Sequence, residues 1–332
     1  MTAAPSRFTA MHRQILGAVA ALGIFASLLA PGPAHAVTAT IDHRVARNDT
    51  WEQIYVYSPS MGRVVGLDVL HPRGSARRPT LYLLDGTGAR DDQAQSTWTM
   101  RTDAPAFFAD KNVNVVMPIG GGGTFYTDWL EDDDALGHNR WEQFLTRELP
   151  PLVNRELSGN GVNAVAGLSM GGHAAATLAF RSPGLYRAVG VFSGCLLTGG
   201  VGQPMVRAAV HHRGGNPDKM WGGSLAPGWA AHDPTKHLGA LRNTALYMSV
   251  GNGSQGPADV DFDPSFSYPL DLAGAISLEE GALACTRTVE GLMRVAGLRP
   301  TVRYAVFGTH SWPYWQQALH DSWPTLRTGL GI

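Results

Sequence analysis

The stretch Gly167-Leu168-Ser169-Met170-Gly171 decides how this chain is read. It follows the apolar run Val162 to Ala166 and leads into Gly172-His173-Ala174-Ala175-Ala176-Thr177-Leu178-Ala179-Phe180, a good helix former. A serine between strand and helix, with glycine two positions to either side, is the pattern of a nucleophile elbow. The hydroxyl projects from a strained turn, and strand and helix pass too closely to admit a Cβ. In a chain with 40 glycines the five-residue pattern is weak by itself, so the flanking elements and the partners found elsewhere carry the reading.

Outward from this turn, short apolar runs alternate with helical segments. Ile54 to Ser58 and Val64 to Leu70 read as two strands joined by a hairpin at Met61-Gly62, after a polar lead-in. Pro79 to Leu84, ended by Asp85-Gly86, and Val113 to Met117, ended by Pro118, are continuous apolar runs of the kind buried on both faces. Arg140 to Asn154 places Trp141, Phe144, Leu145, Leu149 and Leu152 largely on one helical face. Further strands are expected at Asn163 to Ala166, Ala188 to Phe192, Ala245 to Val250 and Arg303 to Phe307. The pattern predicts an α/β fold with a mostly parallel central sheet flanked by helices on both faces. The Gly-rich stretch 198–237 is expected as an insertion over the active site, and Gly251 to Ser267 as a second long loop.

The first residues read as an address. Arg7 and Arg13 precede the apolar run Ile15 to Ala30, and Ala34-His35-Ala36 is an A-x-A site, so 1–36 is expected to be a secretory signal peptide cleaved after Ala36. The catalytic domain is then 37–332, with no later segment of transmembrane length. A net charge of -1 gives no electrostatic case for nucleic acid or a polybasic membrane patch, and 44% hydrophobic content describes a globular chain with a sizeable core. Export and an even count predict that Cys195 and Cys285 form a disulfide, joining the loop after the strand ending at Phe192 to a helix near Glu279.

A serine hydroxyl needs a base within hydrogen-bond reach and a third group to orient that base. In α/β-hydrolase order the base is a late histidine after the last strand, which selects His310 in Gly308-Thr309-His310-Ser311-Trp312; His320, inside the following helical run, is the competitor. The acid stays open on the residues alone. Asp259, Asp261 and Asp263 follow the strand ending at Val250, whereas Glu279 and Glu280 are expected to open a helix running to about Val295. An oxyanion hole requires two N–H groups, expected from Met170 and Thr87. Other features point to no second chemistry. Gly120 to Gly123 lacks the lysine of a phosphate loop, and Glu131-Asp132-Asp133-Asp134 lacks the alternation of a calcium loop. His211-His212 has no third ligand at metal spacing.

Several strings together resemble the antigen 85-type mycolyltransferases, an α/β-hydrolase family. They are Leu83-Leu84-Asp85-Gly86, Phe125-Tyr126-Thr127-Asp128-Trp129, the run Trp141 to Pro150, the serine turn, and Gly308 to Trp315. Met220-Trp221-Gly222, His232-Asp233-Pro234 and Gly251-Asn252-Gly253 extend the match, while Ser193-Gly194-Cys195 and Arg213-Gly214-Gly215-Asn216 look more like the corynebacterial and nocardial branch. The resemblance implies a secreted envelope enzyme that moves a mycoloyl group from trehalose monomycolate to a second monomycolate or to arabinogalactan, without metal or cofactor. Its catalytic residues fall on Ser169, His310 and, after a leucine, Glu279; choosing Glu280 instead would set Glu290 where Val289 should pack. Its trehalose-binding residues fall on Asp85 and Trp312. The chain departs from the family at Gly88, where an arginine is expected with Arg90 nearby, at Arg101, where an asparagine is expected, and in lacking a short-range cysteine pair. Two other readings stand beside this one: a secreted serine esterase in which water opens the acyl-enzyme, and an envelope-binding protein with a spent site.

Overall fold

The computed structural model of the chain describes residues 38–259 and 272–332. The expected leader with its cleavage after Ala36, and Asp261 and Asp263 among the candidate acids, lie outside the described residues. Among the described residues nine strands run β1 (Thr40–Asn48), β2 (Trp51–Ser58), β3 (Arg63–Leu70), β4 (Arg78–Leu84), β5 (Asn114–Pro118), β6 (Gly159–Leu168), β7 (Tyr186–Phe192), β8 (Ala245–Val250) and β9 (Thr301–Tyr304). They form one sheet in the order β1-β2-β3-β5-β4-β6-β7-β8-β9. The pairs β1–β2, β2–β3 and β3–β5 are antiparallel, and every pair from β5–β4 to β8–β9 is parallel.

Helices cover both faces: α1 (Thr97–Arg101), α2 (Ala104–Phe108), α3 (Trp141–Gln143), α4 (Leu149–Glu156), α5 (Met170–Arg181), α6 (Gly202–His212), α7 (Pro217–Trp221), α8 (Pro227–Ala231), α9 (Leu272–Val295) and α10 (Trp312–Leu330). The two-residue strand period divides the core. Tyr82, Leu84, Val116, Val165, Val189 and Met248 point to the face of α4 and α5. Leu81, Leu83, Val115, Ala164, Phe192 and Tyr247 point to the face of α1, α2 and α10. Burying each such leucine, valine or phenylalanine stabilises the fold by roughly 1.5–3 kcal/mol, which is why these runs are apolar throughout. No helix among the described residues is long and apolar enough to cross a membrane.

The fold departs from the sequence reading at four places. The polar lead-in forms β1, whose residues are almost all exposed; backbone pairing with β2 and a His43–Tyr55 ring stack at 4.0 Å hold it without an apolar pattern. The helix expected over Arg140 to Asn154 is interrupted by a π-helical turn, Phe144–Glu148, where the Leu149 N–H bonds to the Phe144 carbonyl. Pro150 and Pro151 follow at once; they lack N–H groups and crowd the carbonyls four residues back, which the wider turn relieves. The last strand is Thr301–Tyr304 and not Arg303 to Phe307: one further bond, Ala305 N–H to Val250 O at 2.9 Å, ends the pairing. Finally, α9 is already helical from Leu272, so Glu279 and Glu280 lie about two turns inside it and do not open it.

Cys195 and Cys285 form a disulfide with Cα atoms 5.2 Å apart, as export and cysteine count predict. It ties the loop after β7 to α9 across 90 residues of sequence. In the loop-entropy description such a closure is worth about 4–5 kcal/mol. The stretch 198–237, read as a Gly-rich insertion, carries α6, α7 and α8.

Candidate active site

Ser169 stands at the end of β6 with φ 51° and ψ -120°, and α5 begins at Met170. A serine in this backbone region stores about 1–3 kcal/mol of strain. The turn is held by Ser169 N–H to Phe192 O at 2.8 Å and by Gly172 N–H to Ser169 O at 3.0 Å. The flanking glycines are required by contact. A Cβ at Gly167 would lie 2.4 Å from the Gly171 carbonyl, and one at Gly171 would lie 2.4 Å from the Asp85 oxygen.

His310 Nδ1 lies 2.8 Å from Glu279 Oε2. The carboxylate can only accept, so the proton sits on Nδ1 and Nε2 remains the acceptor. The other oxygen, Oε1, accepts from Ser193 Oγ at 2.8 Å and from Gly251 N–H at 2.6 Å. Trp315 Nε1 in turn donates to Ser193 Oγ at 3.1 Å. Glu279 is 1% exposed within the stripe Ala275, Glu279, Ala282, Val289 and Met293 on α9, whereas Glu280 is exposed. Asp259 reaches Thr309 and not His310. His320 pairs with Asp103 at 2.8 Å and stacks on Phe107 at 4.1 Å.

Sequence reasoning missed Ser193 and Trp315. The only outward sign of Ser193 is a backbone one, a positive φ of 51°, which the sequence does not disclose.

One cavity of about 1040 Å³ brings together Ser169, His310, Thr87, Met170, Asp85 and Trp312. Trp312 is 8% exposed between Trp98 and Trp315, so it offers the cavity a small apolar patch. Gly88, Arg90 and Arg101 line the cavity, as does Arg213, which no motif placed here; Arg90 pairs with Asp92. Phe125 donates its N–H to Met170 Sδ at 3.4 Å, fixing one wall beside the serine turn.

Asp85 is buried at the end of β4. Its Oδ2 accepts from Thr97 N–H at 3.2 Å and Ser96 Oγ at 3.4 Å, while Oδ1 has no partner among the described residues. Burial raises the carboxyl from 3.8 to about 7; the Thr97 and Ser96 donors oppose the shift and the Asp68 charge adds to it. Between these values the folded chain binds more protons than the unfolded chain. Stability contributed by neutral Asp85 is therefore present at low pH and falls as pH rises from about 4 to about 7. Asp85→Asn, neutral throughout, is expected to remove this fall. Urea midpoints measured across that range should descend for wild type relative to the variant; parallel profiles would exclude Asp85 as the source.

A serine on a sharp strand-to-helix turn at the carboxyl edge of a mostly parallel sheet, sharing a cavity with a histidine–carboxylate pair, places the chain among α/β-hydrolase-fold esterases and acyltransferases. The model of a family described as putative esterase matches residues 58–326. The chain belongs to the antigen 85 mycolyltransferases within that family. It is 36% identical over 296 residues to the diacylglycerol acyltransferase/mycolyltransferase Ag85A of Mycobacterium leprae, covering 84% of this chain and 83% of the relative. It is 34% identical to Ag85C of Mycobacterium avium, covering 84% and 77%. Among solved structures, Mycobacterium tuberculosis MPT51 (FbpC1) matches with a TM-score of 0.72 at 26% identity, covering 84% of this chain and 98% of that one. A ferulic acid esterase shares the fold at 17% identity and a TM-score of 0.59, covering 88% and 99%.

Proposed function

We propose that this chain is a secreted acyltransferase that moves a mycoloyl group from trehalose monomycolate to a second trehalose monomycolate or to arabinogalactan, through an acyl-enzyme on Ser169. One observation carries the reading: the cavity that holds Ser169 is lined by residues of two chemistries. Asp85, Asp92, Gln93, Thr97 and Arg101 are polar, and Pro204, Met205, Val206, Ala209, Leu278 and Ala282 are apolar. The first set suits a polyol. The second suits a long acyl chain. The orphaned Oδ1 of Asp85 is an acceptor for a sugar hydroxyl, and Trp312 supplies an apolar surface for a sugar's C–H face.

In this mechanism His310 Nε2 takes the Ser169 proton as Oγ attacks the ester carbonyl. The Thr87 and Met170 N–H groups stabilise the oxyanion. Collapse breaks the bond to the sugar oxygen, which receives the proton from His310, and an acceptor hydroxyl then opens the acyl-enzyme with His310 again taking its proton. Glu279 keeps the imidazole in the tautomer that both steps need. Each ester broken is replaced by an ester formed, so no external energy source enters. Export is supported by the apolar leader and its A-x-A site and by the Cys195–Cys285 disulfide.

The esterase description of the family favours a second outcome, in which water opens the acyl-enzyme. Incubating the purified protein with trehalose monomycolate, with and without added acceptor, separates the two. Dimycolate or acylated acceptor is the expected product; free mycolic acid alone would replace transfer by hydrolysis.

A further inference from the structure

We infer that Asp259 is a positioning residue for His310, acting through Thr309 and Tyr314. This rests on the reading of His310 as the base. Asp259 sits after β8, in the loop where fold logic looks for the acid of such a site, yet its carboxylate takes a different set of donors. Oδ1 accepts from Thr309 Oγ1 at 2.6 Å, and Oδ2 accepts from the Tyr314 hydroxyl at 2.6 Å and from Gly256 N–H at 2.8 Å. Asp259 is 6% exposed and Thr309 is 0% exposed, so neither exchanges these bonds freely for water.

The donors bracket His310 in sequence. Thr309 Oγ1 has one proton, given to Asp259, and Ser311 Oγ lies 3.1 Å from the same oxygen. Gly308 N–H bonds to Ser254 O at 2.9 Å, and Gly253 N–H to Gly308 O at 2.9 Å. A Cβ on Gly251 would lie 2.5 Å from the Gly308 oxygen, so the two backbones touch there, and one on Gly256 would lie 2.7 Å from the Tyr314 hydroxyl, so that side chain packs against the same segment. His310 itself is tied to α9, by its N–H to Ala275 O at 3.1 Å and by Nδ1 to Glu279. Two elements therefore divide the work. The helix orients the ring, and the 251–259 segment, clasped by Asp259, sets where the backbone holds it. A displacement near 1 Å at a reacting group costs about a hundredfold in rate, so a clasp on residue 309 acts on turnover and not on substrate affinity.

The test uses Asp259→Asn, which turns an amide N–H₂ toward one of the donors, and Thr309→Val, which keeps the volume and removes the hydroxyl. Both are checked for native circular dichroism, alongside His310→Ala. The expected result is a fall in kcat of about ten- to a hundredfold with KM within about twofold of wild type. The downfield proton resonance of the His310–Glu279 hydrogen bond should move in both variants, which a defect confined to global stability does not produce. The double variant should be no slower than the poorer single one, because both remove the same contact. Wild-type kcat in folded Thr309→Val, or a rise in KM alone, would overturn the inference while an inactive His310→Ala keeps the base assignment standing. Turnover by His310→Ala at the wild-type rate would remove both.

Discussion

Ser169→Ala is expected to lower acyl transfer by about 10⁴-fold or more, at least about 5 kcal/mol of transition-state stabilisation, while the protein stays folded and continues to bind its donor. The reasons are local. Alanine removes only Oγ; the two backbone bonds that hold the turn, Ser169 N–H to Phe192 O and Gly172 N–H to Ser169 O, do not use it. Alanine occupies the φ of 51° with the same Cβ that serine already places there, so no new strain enters. The other residues that line the cavity are unchanged. Activity then has no covalent route, and His310 has no hydroxyl to deprotonate. The measurement is the initial rate of acylated product, with circular dichroism and donor binding as controls. Transfer at the wild-type rate by folded Ser169→Ala would refute the acyl-enzyme, whatever the acceptor.

Much of this architecture is legible in the chain because the signals are local. β4 and β6 to β8 announce themselves as apolar runs because both faces of those strands are covered. Gly167 and Gly171 mark the serine turn because backbones approach there to distances that exclude a Cβ. The residues that resisted reading act at a distance in sequence. Glu279 meets His310 across 31 positions, and the residue types offered several equivalent carboxylates for that place. The family resemblance pointed to Glu279 over Glu280; the first is buried in the α9 stripe and the second is exposed. The first turns of α9 are weakly marked, since Gly274 and Ser277 dilute the helix formers of Leu272 to Leu278. β1 escaped for the opposite reason: a strand held by its backbone and exposed along nearly its whole length has no apolar alternation to show. Ser193 was invisible because its role depends on a positive φ and on three partners from other elements, Glu279, Trp315 and Ser249.

Glu279→Gln is the second large effect, expected to lower kcat about 10³–10⁴-fold with little change in volume. Glutamine offers one acceptor oxygen and one N–H₂ donor where the carboxylate offers two acceptors, and both positions here face donors. With its oxygen toward His310, the amide nitrogen meets the Ser193 hydroxyl, at 2.8 Å from the present Oε1, and the Gly251 N–H, at 2.6 Å. Ser193 can rotate its proton away; the Gly251 N–H cannot. With the amide reversed, the nitrogen faces His310 Nδ1, and the ring avoids a donor–donor clash only by moving its proton to Nε2. That tautomer has no lone pair for the Ser169 hydroxyl, so the base is lost although the ring remains in place. The first orientation leaves the Gly251 N–H opposed in a site where Glu279 is 1% exposed, and water cannot relieve it; the second satisfies the donors at the cost of the base. Glu280→Gln, on the exposed face one residue on, is expected to leave kcat at the wild-type level. Steady-state kinetics of the two variants side by side therefore decide the acid: a silent Glu279→Gln beside a crippled Glu280→Gln would reverse the assignment, whereas loss confined to Glu279→Gln, with KM preserved, ties the defect to the imidazole's proton and not to the packing of α9.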